Sequence, residues 1–206
     1  MTADGGDRAV GVYTGFEFVE RVAGKKIFEL LSKRTLGLSS GWHEIEGVRL
    51  EFFREGERGP VLTCDGARFN IQTRDADLGG SVRIDFPSGA FLTTDAGSFE
   101  ATSRRFTANA EVYYVSGNTF GQAETAAYDL ERDEIILAGG VMLRTGDGSS
   151  LVASEAVYQR GTGNILFPNG ARVTTGDSEI EAPALEIELE EDDGPPRPKG
   201  AQHGLE

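Results

Sequence analysis

The sequence predicts an all-β fold of antiparallel strands built from a repeat of about thirty residues. Three features support it: a motif at nearly constant spacing, a high glycine content, and segments in which apolar and polar residues alternate. Glycine accounts for 28 of the 206 residues, well above the average share of about 7%. Glycine at this level without a collagen period indicates many turns, and therefore many short strands.

The repeated motif is a small polar or acidic residue, a small residue two positions later, and an aromatic residue two positions after that. The aromatic positions, with a leucine in a degenerate fifth copy, follow at intervals of 30, 29, 30 and 27 residues. They are Phe69, Phe99, Tyr128, Tyr158 and Leu185. A valine follows the aromatic residue after 13 residues in three copies and after 15 in the fourth. These valines are Val82, Val112, Val141 and Val173.

Three segments before the repeats predict strands. Residues 12–20 alternate loosely, and residues 42–54 alternate more clearly. Residues 25–36 fit either a helical face or a strand, and their β surroundings favour the strand. Residues 55–60 predict a turn, because glycine and proline break regular structure there.

Each of the four repeats, between residues 61 and 175, predicts two strands. The first ends near the aromatic residue, the second begins near the valine, and Gly, Asn and Asp supply the turns. The recurring acidic residue predicts a structural hydrogen bond to the backbone, either in a turn or where a strand begins. Residues 185–190 alternate cleanly and predict a closing strand. Residues 1–11 predict a flexible lead-in and residues 191–206 a disordered acidic and proline-rich tail, which leaves 12–190 as a single domain.

Residues two apart in a strand share a face, so stacked repeats align the aromatic residues into one row and the valines into another. Both rows are predicted to line one apolar interior. The candidate ligand-contacting positions of this interior are Phe69, Val82, Ile84, Phe99, Val112, Tyr114, Tyr128, Val141, Leu143 and Tyr158. The same rows are also consistent with a purely structural core, and an open groove favours the ligand role.

Charge and hydropathy exclude several classes of function. The net charge of −14 opposes nucleic-acid binding, because phosphate backbones are repelled. No apolar run is long enough for a transmembrane helix, and the polar residues 1–6 do not resemble a signal peptide. The single cysteine, Cys64, is expected to be a small buried residue.

No catalytic or metal-binding constellation stands out. His43 is expected on the surface, and His203 lies in the predicted tail. Asp75 and Asp77 form an Asp-x-Asp pair without the further oxygen ligands of a calcium loop. The glycines at 146 and 148 lack the spacing of a phosphate-binding loop. We therefore expect a protein that is not an enzyme, with no metal and no cofactor.

The acid-x-Ala-x-Tyr motif, a turn and Gly-x-Val at this period resemble the OstA-like superfamily of lipopolysaccharide-transport proteins. The copies at residues 65–82 and 124–141 carry the resemblance best, and it extends over residues 12–190. Residues 15–18, 26–30 and 46–53 are similar to the LptC family within that superfamily; the LptA family is next.

The resemblance implies a β-jellyroll open at both ends, with an apolar groove that carries the acyl chains of lipopolysaccharide. It implies a periplasmic module that passes lipid from an inner-membrane ABC transporter to a periplasmic bridge of jellyrolls joined edge to edge. LptC-like members have one N-terminal membrane helix, and the resemblance therefore implies that the full-length protein is anchored to the inner membrane by a segment outside these 206 residues. Because the chain is acidic, we expect acyl chains to be held by apolar burial, without a grip on the phosphates.

Other interpretations remain open. An LptA-type bridging protein shares the fold and is expected to form end-to-end oligomers. A non-catalytic β-solenoid with a structural or polysaccharide-interacting role, or a cytoskeletal-type solenoid polymer, also fits a repetitive β sequence. The open strand edges expected at both ends favour assembly through strand addition in any of these cases.

Overall fold

The computed structural model describes residues 7–188, and all regular secondary structure in that range is β-strand. The predicted all-β, antiparallel fold is therefore confirmed. The strands are β1 (Ala9–Val22), β2 (Lys25–Leu38), β3 (Trp42–Arg54), β4 (Glu57–Asn70), β5 (Ala76–Asp85), β6 (Phe91–Glu100), β7 (Arg105–Ala108), β8 (Val112–Ser116), β9 (Thr119–Ala123), β10 (Thr125–Asp129), β11 (Glu134–Arg144), β12 (Ser150–Gln159), β13 (Asn164–Phe167), β14 (Ala171–Thr175), β15 (Ser178–Ala182) and β16 (Leu185–Glu188).

The strands form one antiparallel sheet that divides at β6. Residues 97–100 of β6 pair with β7, and residues 91–94 pair with β8. One branch continues from β7 through β10, β11, β12, β13 and β16, and we call it the aromatic wall. The other continues from β8 through β9 and the opposite halves of β11 and β12 to β14 and β15, and we call it the valine wall. Strands β1 to β6 belong to both walls, which gives a jellyroll-like arrangement.

The two walls meet at a corner made by β-bulges in the middle of the long strands. The pairing of β4 with β5 shifts register between Thr63 and Gly66, and that of β11 with β12 shifts between Ala138 and Val141. Bulges of this kind bend the strand and increase its twist. The corner therefore lets a single strand contribute one half to each wall.

In the first and third copies, a glycine before the repeated valine forms this corner. Gly80 and Gly139 have φ of 69° and 80°, a backbone conformation that glycine adopts without strain. The acidic residue of the same copy lies against that glycine: a Cβ at Gly80 would lie 2.9 Å from Oδ2 of Asp65, and one at Gly139 would lie 2.7 Å from Cβ of Glu124. The acidic residue therefore marks the corner. The prediction that it marks the beginning of a strand is wrong for Asp65 and Asp95, which lie inside β4 and β6, but it fits Glu124, which directly precedes β10.

The prediction that the second strand of each repeat begins near the valine is also wrong for two copies. Strands β5 and β11 begin at Ala76 and Glu134, and they carry Val82 and Val141 just past the corner. The physical reason is the bulge. The glycines before these two valines bend a continuous strand without ending it.

The turn after each repeated aromatic residue has a left-handed residue at the same place, five positions further on. These residues are Arg74, Arg104, Asp133 and Gly163, with φ of 67°, 51°, 56° and 77°. Left-handed backbone is uncommon for arginine. Residue type alone therefore does not reveal this repeated conformation, although the sequence period does locate the turns.

The strands before the repeats follow the prediction closely. Residues 25–36, for which the sequence allowed a helix, form β2, and residues 42–54 form β3. The turn predicted at residues 55–60 is shorter, because β4 begins at Glu57. Pro60 lies where the register between β3 and β4 shifts, and a bulge tolerates proline because no ladder N–H is needed there.

The ends of the sheet extend the predicted domain slightly. Strand β1 begins at Ala9, within the predicted lead-in, and β16 covers Leu185–Glu188 of the predicted closing strand. Residues 1–6, residues 189–190 and the tail at 191–206 lie outside the described residues. Between residues 7 and 188 we find no helix of the length and hydropathy needed to cross a bilayer.

Candidate functional site

The aromatic residues of the four repeats lie in one continuous row across the aromatic wall, as predicted. Each is separated from the next by one intervening strand. The row runs Phe69, Ala76, Phe99, Phe106, Tyr128, Ile135 and Tyr158, each residue directly opposite the next. All of these side chains are buried. Alternation along the strand therefore turns the sequence motif into an apolar surface that faces inward.

The valines form a second row on the valine wall. Val82 and Val112 lie on either side of Thr94, and Val141 lies opposite Ala153. Ala153 in turn lies opposite Ala171, so Ala171 continues this row where the sequence predicted Val173. Val173 lies two positions further along β14, opposite Leu151.

The predicted place of Val173 in the valine row is therefore wrong, for a simple reason. From Tyr158 to Ala171 the gap is 13 residues, the same as in the first three copies. The fourth copy keeps the spacing and replaces valine by alanine. Assignment by residue identity therefore places this row one full alternation too far along β14.

The remaining candidates, Ile84, Tyr114 and Leu143, share a third row next to the valines. Ile84 is linked to Tyr114 through Leu92, and Tyr114 to Leu143 through Gly121. A Cβ at Gly121 would lie 2.9 Å from Cδ2 of Leu143 and 3.3 Å from Cβ of Tyr114. Glycine at this position therefore leaves the space that the two larger side chains occupy.

The two walls face each other and pack through aromatic rings. The ring centroids of Phe86 and Tyr128 lie 5.1 Å apart, and those of Phe52 and Phe99 lie 5.2 Å apart. Tyr114 of the valine wall lies 5.9 Å from Tyr158 of the aromatic wall. Such edge-to-face and tilted pairs add to the free energy gained by apolar burial.

Side chains fill the space between the walls. The ten predicted interior residues are all buried. A cavity lined by Tyr114, Leu143, Tyr158 and their neighbours has a volume of about 10 Å³, roughly the space that one water molecule needs. The predicted apolar interior therefore exists as a packed core, and the role of its residues in lipid binding stays a prediction.

A polar network that the sequence did not predict lies where the free margins of the two walls meet, opposite the corner. We call this margin the seam. The Tyr128 hydroxyl donates to Oδ1 of Asp133 at 2.8 Å, and Nη1 of Arg160 donates to the same oxygen at 2.6 Å. The Arg160 guanidinium lies over the ring of Phe86 from the opposite wall, 4.3 Å from its centroid.

Burial raises the pKa of the Tyr128 hydroxyl well above its usual range, and the Asp133 carboxylate raises it further. The hydroxyl therefore stays protonated and remains a donor to Asp133 at any physiological pH. One departure from the repeat points to this network in the sequence. Two positions after the aromatic residue the first three copies have Ile71, Ala101 and Leu130, whereas the fourth has Arg160.

The other residues considered for chemistry have structural surroundings. His43, expected on the surface, is half-buried and stacks on Phe16 with centroids 5.9 Å apart, so that expectation is wrong. Cys64 is buried as predicted, and burial raises the pKa of its thiol to about 11, which keeps it protonated and unreactive. Asp75 accepts the backbone N–H of Ala101 at 3.0 Å, and His203 lies outside the described residues.

In the described range no three His, Cys, Asp or Glu side chains are grouped so that they could hold a metal ion. The seam network contains one carboxylate and one guanidinium already engaged with each other. Together with the contact between Arg160 and Phe86, this ion pair links the two walls at the seam.

Comparison with known proteins adds little. No protein-family model matches the chain, and no curated protein matches it. A solved structure with some similarity is the wild-type TCP10 domain of Danio rerio CPAP in complex with a peptide of Danio rerio STIL. The match is 10% identical, covers 81% of this chain and 99% of that chain, and has a TM-score of 0.14. A TM-score this low does not indicate a shared fold, and nothing about this protein follows from that domain.

Proposed function

We propose that this domain is a lipopolysaccharide-binding transport module of LptC-like type, which holds acyl chains between its two walls. It acts as a binding module rather than an enzyme. The observation that supports the proposal best is the pair of facing walls, each lined by continuous apolar rows and joined along a single corner. The apolar rows run from strand to strand across each wall. Together they form an elongated apolar surface perpendicular to the strands.

Acyl chains enter this interior only when the walls move apart. The cavity between Tyr114 and Tyr158 has a volume of about 10 Å³, far too small for a hydrocarbon chain. Burial of a methylene group gains about 0.8 kcal/mol, so a chain of a dozen methylenes gains roughly 10 kcal/mol. A gain of that size is enough to offset the loss of several aromatic contacts across the seam.

The proposed path places the domain in the periplasm, where it receives lipid from an inner-membrane ABC transporter and passes it to a periplasmic bridge. The route to a neighbouring jellyroll is the edge of the sheet. Among residues 7–188, β1 pairs with β2 alone over a length of 14 residues. An edge strand with unpaired N–H and C=O groups is a template for strand addition by a partner.

Site-specific photocrosslinking tests the lipid proposal. With p-benzoylphenylalanine in place of Tyr114 or Tyr158, irradiation with purified lipopolysaccharide is expected to yield a crosslinked adduct visible as a gel shift. Tyr113 is a matched control, because it is the neighbouring tyrosine on β8 and is 48% exposed on the outer face. An adduct at position 113 as strong as at 114 and 158, or no adduct at any position, contradicts the proposal.

An LptA-type bridging role is the second candidate, favoured by the exposed apolar side chains of the β1 edge. Val12 is 59% exposed there. For this role, sedimentation velocity is expected to show a series of end-to-end oligomers that grows with concentration and is suppressed by Val12→Lys, because charge on an edge strand opposes pairing.

Val152→Lys is the control for that experiment, since Val152 is 48% exposed but lies on β12 within the sheet. It is expected to leave the oligomers unchanged. A chain that stays monomeric over the whole concentration range contradicts the LptA-type role and favours the LptC-like one.

A further inference from the structure

A pocket of about 460 Å³ opens at the seam, beside the turn that joins β3 and β4. Its walls come from that turn, from Pro87 and from the turn end of the aromatic wall. Four arginines line it: Arg54, Arg58, Arg104 and Arg160. We call this space the seam pocket.

Arg160 is the buried centre of the seam pocket. Its side chain is 10% exposed, and its Nε is buried without a hydrogen-bond partner among the described residues. One Nη is engaged with Asp133. A buried guanidinium donor without an acceptor is costly, and an anionic oxygen in the pocket is the acceptor that best removes that cost.

The other three arginines keep most of their donors free for a ligand. Arg104 approaches Glu131 and Arg54 approaches Asp133 only to 3.9 Å, which is too long for a hydrogen bond. Arg58 Nε lies 3.3 Å from Glu51. Because each guanidinium carries five N–H donors, these contacts leave a surplus of donors around the pocket.

The local charge differs from that of the chain as a whole. The protein has a net charge of −14, whereas the seam pocket is lined by four arginines and three carboxylates. The carboxylates are Glu55, Glu57 and Asp133. One of them, Asp133, is paired with Arg160. The lining itself therefore carries one more positive than negative charge, while Glu51 and Glu131 lie beside Arg58 and Arg104 just outside it.

The pocket is also apolar on the side that adjoins the interior. Phe52 and Tyr128 line it, and Phe52 contacts Phe99 of the aromatic row, with centroids 5.2 Å apart. A ligand that places a charged group among the arginines therefore has its other end beside the core between the walls. This arrangement fits an amphiphile with an anionic head.

We propose that the seam pocket binds a phosphate monoester group, which the arginines hold while an attached acyl chain enters between the walls. The planar guanidinium matches the geometry of phosphate oxygens in paired hydrogen bonds. The acyl-chain part of this inference rests on the proposed function. The proposed phosphate contact replaces the expectation, drawn from the net charge, that the phosphates of the lipid are not bound. Free phosphate offers the same oxygens, so the test separates the two sources.

Isothermal titration calorimetry with three probes tests the proposal. The probes are monododecyl phosphate and dodecyl maltoside, both below their micelle-forming concentrations, and inorganic phosphate. Monododecyl phosphate is expected to bind about tenfold more tightly than dodecyl maltoside, the gain typical of hydrogen bonds to a charged group. Arg54→Gln/Arg104→Gln is expected to abolish that difference.

The double variant is chosen because Arg160→Gln removes the ion pair of the half-buried Asp133 and endangers the fold. Arg132→Gln/Arg144→Gln is the matched control: it removes the same charge from two exposed arginines outside the pocket. This control is expected to keep the full preference for the phosphate compound. A loss of preference in both variants overturns the proposal, because it shows a general charge effect.

The three probes also separate this proposal from the lipid function. Equal affinity for the two dodecyl compounds in the unaltered protein overturns the phosphate site and leaves the lipid interior standing. Arginine-dependent binding of inorganic phosphate, with no gain from a dodecyl chain, supports the phosphate site and contradicts the lipid function. No binding of any probe overturns both.

Discussion

Replacement of Phe99 by alanine is expected to lower the free energy of unfolding by about 3–5 kcal/mol. Phe99 is 3% exposed, and its ring centroid lies 5.9 Å from that of Phe28 and 5.2 Å from that of Phe52. Loss of this ring removes contacts within the core and leaves a cavity between the walls. Urea unfolding followed by circular dichroism measures the change.

Phe120→Ala is the control, because Phe120 lies on β9 and is 58% exposed. Surface substitutions usually change stability by no more than about 0.5 kcal/mol. A loss at Phe99 as small as that at Phe120 contradicts the packed interior. The sequence left open whether the aromatic row is core or ligand surface, and a large loss at Phe99 assigns it a structural role in the ligand-free protein.

The apolar rows could be predicted from the sequence because two simple periods produce them. Alternation along a strand fixes which side chains share a face, and the thirty-residue repeat fixes which strands carry equivalent residues. Within these rows one position was predicted wrongly, Val173 in place of Ala171. There the fourth copy keeps the spacing of the repeat but has a different residue. Position in the repeat is thus more informative than residue identity.

The corner was harder to predict, because its residues are compatible both with a turn and with a bulge inside a continuous strand. Gly-Ser at residues 80–81 and Gly-Gly at 139–140 are typical of turns. In the structure they bend strands that continue through the bulge. Local sequence cannot distinguish the two outcomes, since both use the same positive φ. The pairing partners on either side of the bend decide between them.

The seam network could not be predicted, because its members come from distant parts of the chain. Arg160 meets Asp133 through the pairing of neighbouring strands of the aromatic wall, but it meets Phe86 of the valine wall only after the sheet has folded at the corner. The sequence does contain one sign, since Arg160 stands where the other copies have apolar residues. A charged residue at a repeated apolar position needs a partner, but the repeat does not identify it.

The corner itself yields the second large effect. Gly139→Ala is expected to destabilise the protein by roughly 2–5 kcal/mol. Part of the cost is the left-handed backbone, since Gly139 has φ of 80°. The rest is overpacking, because the new Cβ would lie 2.7 Å from Cβ of Glu124 and 2.6 Å from its Oε2. Urea unfolding measures the sum.

Gly140→Ala separates the two parts. Gly140 also has a positive φ, 66°, but a Cβ there would meet no atom within 4 Å. Its expected cost is the backbone term alone, about 1–2 kcal/mol. A cycle with Glu124→Gly, which removes the opposing Cβ, is expected to show a coupling free energy of about 1–3 kcal/mol with Gly139→Ala and none with Gly140→Ala. Equal costs at the two glycines and no coupling would show that Glu124 does not pack against the bend, so the repeated acidic residue would need another explanation.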